Sequence, residues 1–163
     1  MERSQLDNSK RVFAAIDDDE LQDAVVEEAV RIAIKEKAHV RFGHIAKKPG
    51  EDFEGDLTSY LQAVSDRIHV AIADKLAQMG ATDEVLDGDI VVQTMRSEAE
   101  ATIDQPCCYP IDQLVESMAK PYEPDVVVCG SATKSKLRTL LHGNASEYIA
   151  RNLDCEVVRV ISA

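Results

Sequence analysis

Residues 125–146 read DVVVCGSATKSKLRTLLHGNAS, and the fold turns on how that stretch divides. Val126, Val127 and Val128 form a β-branched run with no polar break, the pattern of a strand covered on both faces in a parallel sheet. Gly130 is expected to end it. Further on, Gly143 is followed by Asn144 and, three residues later, by Glu147, which is the spacing of a capping box: the Asn side chain accepts from the first-turn backbone while the carboxylate reaches back to the Asn amide. A glycine loop that leads into a helix N-terminus aims backbone N–H groups and the positive end of a dipole at one spot, which suits phosphate.

Upstream, residues 11–16 (RVFAAI) form an apolar run that stops at Asp17, Asp18 and Asp19, as a strand ending in a loop would. Leu21, Val25, Ala29, Ile32 and Ala33 then recur at helical spacing, and the aspartates supply an N-cap, so a helix is expected over 20–37. Residues 40–45 (VRFGHI) read as a second strand, and 48–56, with Pro49, Gly50 and Gly55, as a surface loop. Leu61, Val64, Ile68, Ile72, Leu76 and Met79 mark one face of a long second helix closed by Gly80, with His69 one step off that stripe.

Residues 89–95 (DIVVQTM) suit a third strand, and 96–109 a long connection. Pro110 opens a third helix with Ile111, Leu114, Val115 and Met118 inward, and Pro121 and Pro124 are expected to stop it. A fourth helix over 145–152 and a fifth strand over 155–161 (CEVVRVI) complete the chain. The pattern is α/β: a single doubly wound domain over 11–163, with a five-stranded parallel sheet, about four helices and a flexible N-terminus over 1–10. Such folds bind ligands beyond the carboxyl ends of the strands, where strand order reverses, and Asp17, Ile45 and Gly130 fall at such ends.

Acidic residues outnumber basic ones by 30 to 18, and the net charge of -12 disfavours binding to nucleic acid or to an anionic membrane. No run approaches the eighteen apolar residues of a membrane span, and MERSQLDNSKR lacks the apolar core of a signal peptide, so a cytoplasmic protein is expected. Cys129 and Cys155 fall in expected strands and read as small core residues. Cys107 and Cys108 are adjacent in the connection, without the spaced pair that zinc sites use, and no metal site is expected. Ser131 and Ser146 lack a recognisable His and acid partner, which argues against a serine hydrolase.

Taken together, a first strand ending in Asp17, a His-apolar pair (His44, Ile45) closing the second strand, and VVVCGSATKSKLRTLLHGNASEYIARNLDCEVVRVI over 126–161 resemble the universal stress protein family. The resemblance covers residues 10–162 and is strongest over 125–161. It implies an adenine-nucleotide α-hydrolase-like fold. The nucleotide-binding branch carries Gly, two residues, Gly, nine residues, then Gly followed by Ser or Thr. Here Gly130 and Gly143 keep the frame, while Thr133 replaces the second glycine and Asn144 the hydroxyl residue.

By that resemblance Asp17 contacts the adenosine part, the Ile45 backbone lies beside adenine, and Cys129 and Gly130 lie beside the ribose. Gly143, Asn144, Ala145 and Ser146 hold phosphates, and ATP or AMP, with Mg2+, is the implied ligand. Thr133 counts against tight binding, because glycine allows a positive φ and close approach to phosphate and a β-branched residue resists both. Lys134, Lys136, Arg138 and His142 concentrate positive charge in the connector, as a phosphate clamp or as a solvated surface segment; the sequence leaves both open.

Asp17 reads as site-facing or as a helix cap, with Asp18 and Asp19 as alternative caps. The functional expectation is a cytoplasmic regulatory module binding an adenine nucleotide weakly, with at most slow hydrolysis and no assigned catalytic residue. The alternative is a dimeric interaction module with no nucleotide. An enzyme of the wider group fits less well, since AAIDDDE stands where that group's phosphate motif falls. The fifth strand, over 155–161, is expected to pair two copies into a homodimer, with Val158 and Val160 near the two-fold axis.

Overall fold

Apolar runs without polar breaks bury both faces of a strand, and the architecture follows from where those runs lie. The computed structural model describes residues 10–16, 22–47, 49, 53–94, 110–131 and 145–161. Strands β1 (Arg11–Ile16), β2 (His39–Ala46), β3 (Val91–Thr94), β4 (Val126–Ser131) and β5 (Glu156–Ile161) form one sheet in the order β3-β2-β1-β4-β5. Every pairing is parallel. The chain steps outward from β1 to β3, returns across the sheet to β4 and steps outward again, so the order reverses between β1 and β4.

Right-handed crossovers then place the first two helices on one face and the last two on the other. Helix α1 (Gln22–Glu36) and helix α2 (Leu57–Met79) pack Val25, Val26, Ala29, Val30, Ala33, Val64, Ile68, Ile72 and Leu76 against Val12, Ala14, Val40, Phe42 and Val128 of the sheet. The opposite core joins Phe13, Ile45, Val127 and Cys129 to Leu114, Val115, Met118 and Ile149 from helices α3 (110–122) and α4 (Ala145–Asn152). The alternation of faces along β1 and β4 is the two-residue period of a strand.

Helix ends follow local chemistry. Asp56 caps α2 by accepting from the Ser59 backbone N–H at 2.7 Å, and that bond holds its carboxyl below the usual carboxylate range. Gly80 closes α2 in the left-handed region at φ 68. Helix α3 differs from expectation: it passes through Pro121 and ends only at Tyr122, before Glu123 in the left-handed region and Pro124. The segment Val115–Ala119 is a π turn, with the Lys120 N–H bonded to the Val115 carbonyl. That wider turn, just ahead of Pro121, accommodates a residue that lacks an N–H and crowds the carbonyl four residues back.

Strand β4 likewise runs on through Gly130 to Ser131, because β5 pairs with it over all six residues. Strand β3 is shorter than expected, beginning at Val91, and β5 begins at Glu156, which leaves Cys155 half-buried in the turn before it. The expected flexible N-terminus falls on residues 1–9, outside the described ones, and Lys10.

At the amino ends of the strands, Tyr122 is buried against two arginines. Its hydroxyl donates to Asp87 Oδ2 at 2.7 Å, Arg41 lies over its ring at 4.4 Å, and Arg11 donates to its backbone carbonyl at 2.9 Å. Burial, reinforced by Asp87, pushes the phenol well above its ordinary pKa.

Gly43 on β2 shows how closely the α3 face is packed. A Cβ there would sit 2.6 Å from Phe13 Cζ and 2.8 Å from Met118 Sδ, inside contact distance of both. Gly43→Ala is therefore expected to cost about 1–3 kcal/mol by overpacking. Urea denaturation with an unchanged m-value measures it, and a variant as stable as the parent would show that both side chains yield freely.

Candidate functional site

The reversal of strand order coincides with an early end of the central ladder. Strand β1 pairs with β4 only from Val12 to Ala14, opposite Val126 to Val128. Beyond that point Ala15 and Ile16 pair with β2 alone, and Cys129, Gly130 and Ser131 pair with β5 alone. The central ladder stops short of the carboxyl ends of both strands, at the strand reversal, which is where a doubly wound sheet takes its ligand.

Five residues expected from the sequence lie at the carboxyl ends of β2 and β4 or at the start of α4. Gly130 lies on β4, in strand backbone and without a Cβ. Cys129 beside it turns toward α3 and α4, in the same apolar cluster as Ile45 of β2. Ala145 and Ser146 open helix α4. Asp17, Thr133, Lys134, Gly143 and Asn144 lie outside the described residues, as do Lys136, Arg138 and His142.

Two polar features at this end were not singled out as site elements from the sequence. His44, the partner of Ile16 in the β1–β2 ladder, is buried, and its Nδ1 lies 2.7 Å from the Ile16 carbonyl oxygen. A carbonyl only accepts, so the proton sits on Nδ1 and the last carbonyl of β1 is held in place. The signal was present in the sequence as the polar half of the His44–Ile45 pair that closes the second strand.

The second feature joins β3 to α3. Gln113, buried in the first turns of α3, donates through Nε2 to the Thr94 carbonyl at 2.9 Å and to Gln93 Oε1 at 3.2 Å. Ser117 Oγ reaches the same Gln93 oxygen at 3.0 Å and also touches the Gln113 carbonyl. No periodic pattern marks this trio, because Gln93 interrupts VVQT only once.

Comparison with solved structures supplies the next observation. A universal stress protein in complex with cAMP superposes with a TM-score of 0.61 at 20% identity, covering 94% of this chain and 98% of that one. The chain has the universal stress protein fold. The universal stress protein from Archaeoglobus fulgidus gives a TM-score of 0.54 at 15% identity, covering 92% of each chain. UspA from Lactobacillus plantarum gives 0.51 at 16% identity, covering 93% of this chain and 97% of its own. No protein-family model matches the sequence, and no curated protein does. At these identities the likeness is one of fold.

Near the carboxyl end of β4, Cys129 is buried among apolar side chains. Cys129 is a free cysteine, and burial pushes its thiol up to about 11, partly offset by Arg159 on β5. Cys155, also free, is raised by burial first and then by Asp154, Asp125 and Glu156. Neither is an activated thiolate. No group of His, Cys, Asp or Glu among the described residues could hold a metal ion. No helix among them is long and apolar enough to cross a membrane.

The Cys129 shift sets a pH dependence. The folded thiol titrates above its unfolded value, so its contribution is fully present below the unfolded pKa of about 8.5 and is lost as pH rises through about 11. The loss amounts to about 2–3 kcal/mol. Denaturation curves from pH 7 to 11 check it: Cys129→Ala should flatten the alkaline decline relative to the parent, and parallel declines would show that the thiol is not its source.

Proposed function

We propose that this chain is a regulatory module of the universal stress protein type that binds an adenine nucleotide at the carboxyl-end crevice. The observation that carries this reading is the parting of β1 and β4 beyond Ala14 and Val128, with glycine at position 130 where a ligand's sugar needs close approach. A neighbour of the same fold holds cAMP. In this reading the Ile45 backbone meets the base, Cys129 and Gly130 border the ribose, and Asp17 contacts the adenosine part. Gly143, Asn144, Ala145 and Ser146, with Thr133 and Lys134 in the connector, hold the phosphates. ATP or AMP is the ligand class, with Mg2+ where the triphosphate binds. A catalytic role is not part of the reading.

A second reading is supported by Thr133. A β-branched residue where the family pattern has glycine resists the backbone approach that phosphate needs, and a chain without nucleotide would act through protein contacts alone. Melting separates the two. A ligand at 100 times its Kd raises stability by about 2.7 kcal/mol, and a rise in Tm is expected with millimolar AMP or with ATP and Mg2+. No shift with either, and no nucleotide released from protein purified without any, would remove the nucleotide reading.

The same proposal includes a homodimer through the fifth strand. Strand β5 is outermost, and its free edge is a template for another strand. Beside it, a groove of about 540 Å³ is lined by Glu27, Glu28 and Arg31 of α1 and by Val158, Arg159 and Val160 of β5. Acids and arginines on one patch can pair with the same patch of a second copy. Light scattering at micromolar concentration is expected to give twice the chain mass; a monomer would contradict the pairing.

A further inference from the structure

The carboxamide of Gln93 is fixed in one orientation by a chain of hydrogen bonds that starts on the backbone. The Thr94 carbonyl only accepts, so the Gln113 atom 2.9 Å from it is the amide nitrogen. The second hydrogen of that nitrogen points at Gln93, 3.2 Å away, which must therefore present its oxygen. Ser117 Oγ lies 3.0 Å from the same oxygen and shares its one hydroxyl hydrogen between that oxygen and the Gln113 carbonyl. Gln93 Nε2 is left facing away from both, and no acceptor among the described residues bonds it.

That N–H group is not sealed in the core: Gln93 is half-buried, on a sheet edge, one residue short of the end of β3. Its ladder partner is Ile45, about 4.8 Å away across the sheet, and both side chains turn to the α3 face. A donor pair that is pre-oriented and beside the carboxyl end of β2 has the properties of a recognition group, because little rotamer freedom remains to be lost on binding.

We propose that Gln93 is a specificity-determining residue for a base held beside Ile45, its amide N–H donating to a ring nitrogen acceptor of that base. The inference rests on the nucleotide reading and goes beyond it by naming what the base must offer. Adenine presents unprotonated ring nitrogens. A heterocycle that presents N–H at the same position meets donor against donor and is rejected, since a site built to hydrogen-bond penalises an unpaired group.

The test uses adenosine, which is uncharged, and the full chain. Gln93→Glu keeps an oxygen for Gln113 and Ser117, removes the donor and adds a negative charge; Gln93→Leu removes donor and acceptor without adding charge, and the first variant keeps the test alive where the second fails to fold. Calorimetry is expected to show adenosine binding to the parent and binding weakened about two- to tenfold in each folded variant. Among 1-deaza-, 3-deaza- and 7-deazaadenosine, the analogue that lacks the recognised nitrogen should bind parent and variants alike. Equal adenosine binding by parent and variants would overturn the role of Gln93 while leaving the nucleotide reading intact. A parent that binds neither adenosine nor AMP would overturn both.

Discussion

Burial of β1 and β4 on both faces is the constraint from which the rest of the molecule follows. Val12, Phe13 and Ala14 on β1, and Val127 and Val128 on β4, are sealed from solvent, with alternate residues facing opposite cores. A strand with no wet face must be covered twice, so the chain needs helices on both sides and therefore parallel strands joined by crossovers. It also leaves the middle of the sheet with no place for polar chemistry. Polar groups gather at the strand ends.

The two ends are used differently. At the amino ends, Arg11, Arg41, Tyr122 and Asp87 interlock, and Asp125 accepts from the Arg11 backbone N–H at 2.8 Å. These bonds tie β1 and β2 to the end of α3, closing that side with a partly buried network. At the carboxyl ends the central ladder stops early, and the polar groups lie on the β2–β3 side: His44 against the Ile16 carbonyl, and Gln93 bonded to Gln113 of α3. At the strand reversal the amino ends carry the Arg11–Asp125 bond, and at the carboxyl ends the β1–β4 ladder has already stopped.

Much of this was legible in the chain because periodicity and burial have the same cause. The VVV run of β4, the stripe from Val64 to Leu76 and the stop at Gly80 all appear where the sequence places them. The errors have physical reasons. Gly130 does not end β4, since a glycine in a strand keeps its backbone bonds and β5 supplies the partners. Pro121 does not stop α3, since a π turn ahead of it relieves the crowding. The hydrogen-bonded trio around Gln93 depends on tertiary contact between β3 and α3, which no local pattern reports. Of the expected binding residues, Ile45, Cys129 and Gly130 are brought to one end of the sheet, while the connector and Asp17 fall outside the described residues.

The ladder between β4 and β5 continues past the point where the central ladder stops. Gly130 is the register partner of Val160, and Ser131 of Ile161, so among the described strands this end of β4 pairs with the outermost strand and not with β1. On the other side of the reversal the Ile16 carbonyl of β1 is bonded by His44, and helix α1 spans both sides, packing against Val12 and Ala14 of β1 and Val126 and Val128 of β4.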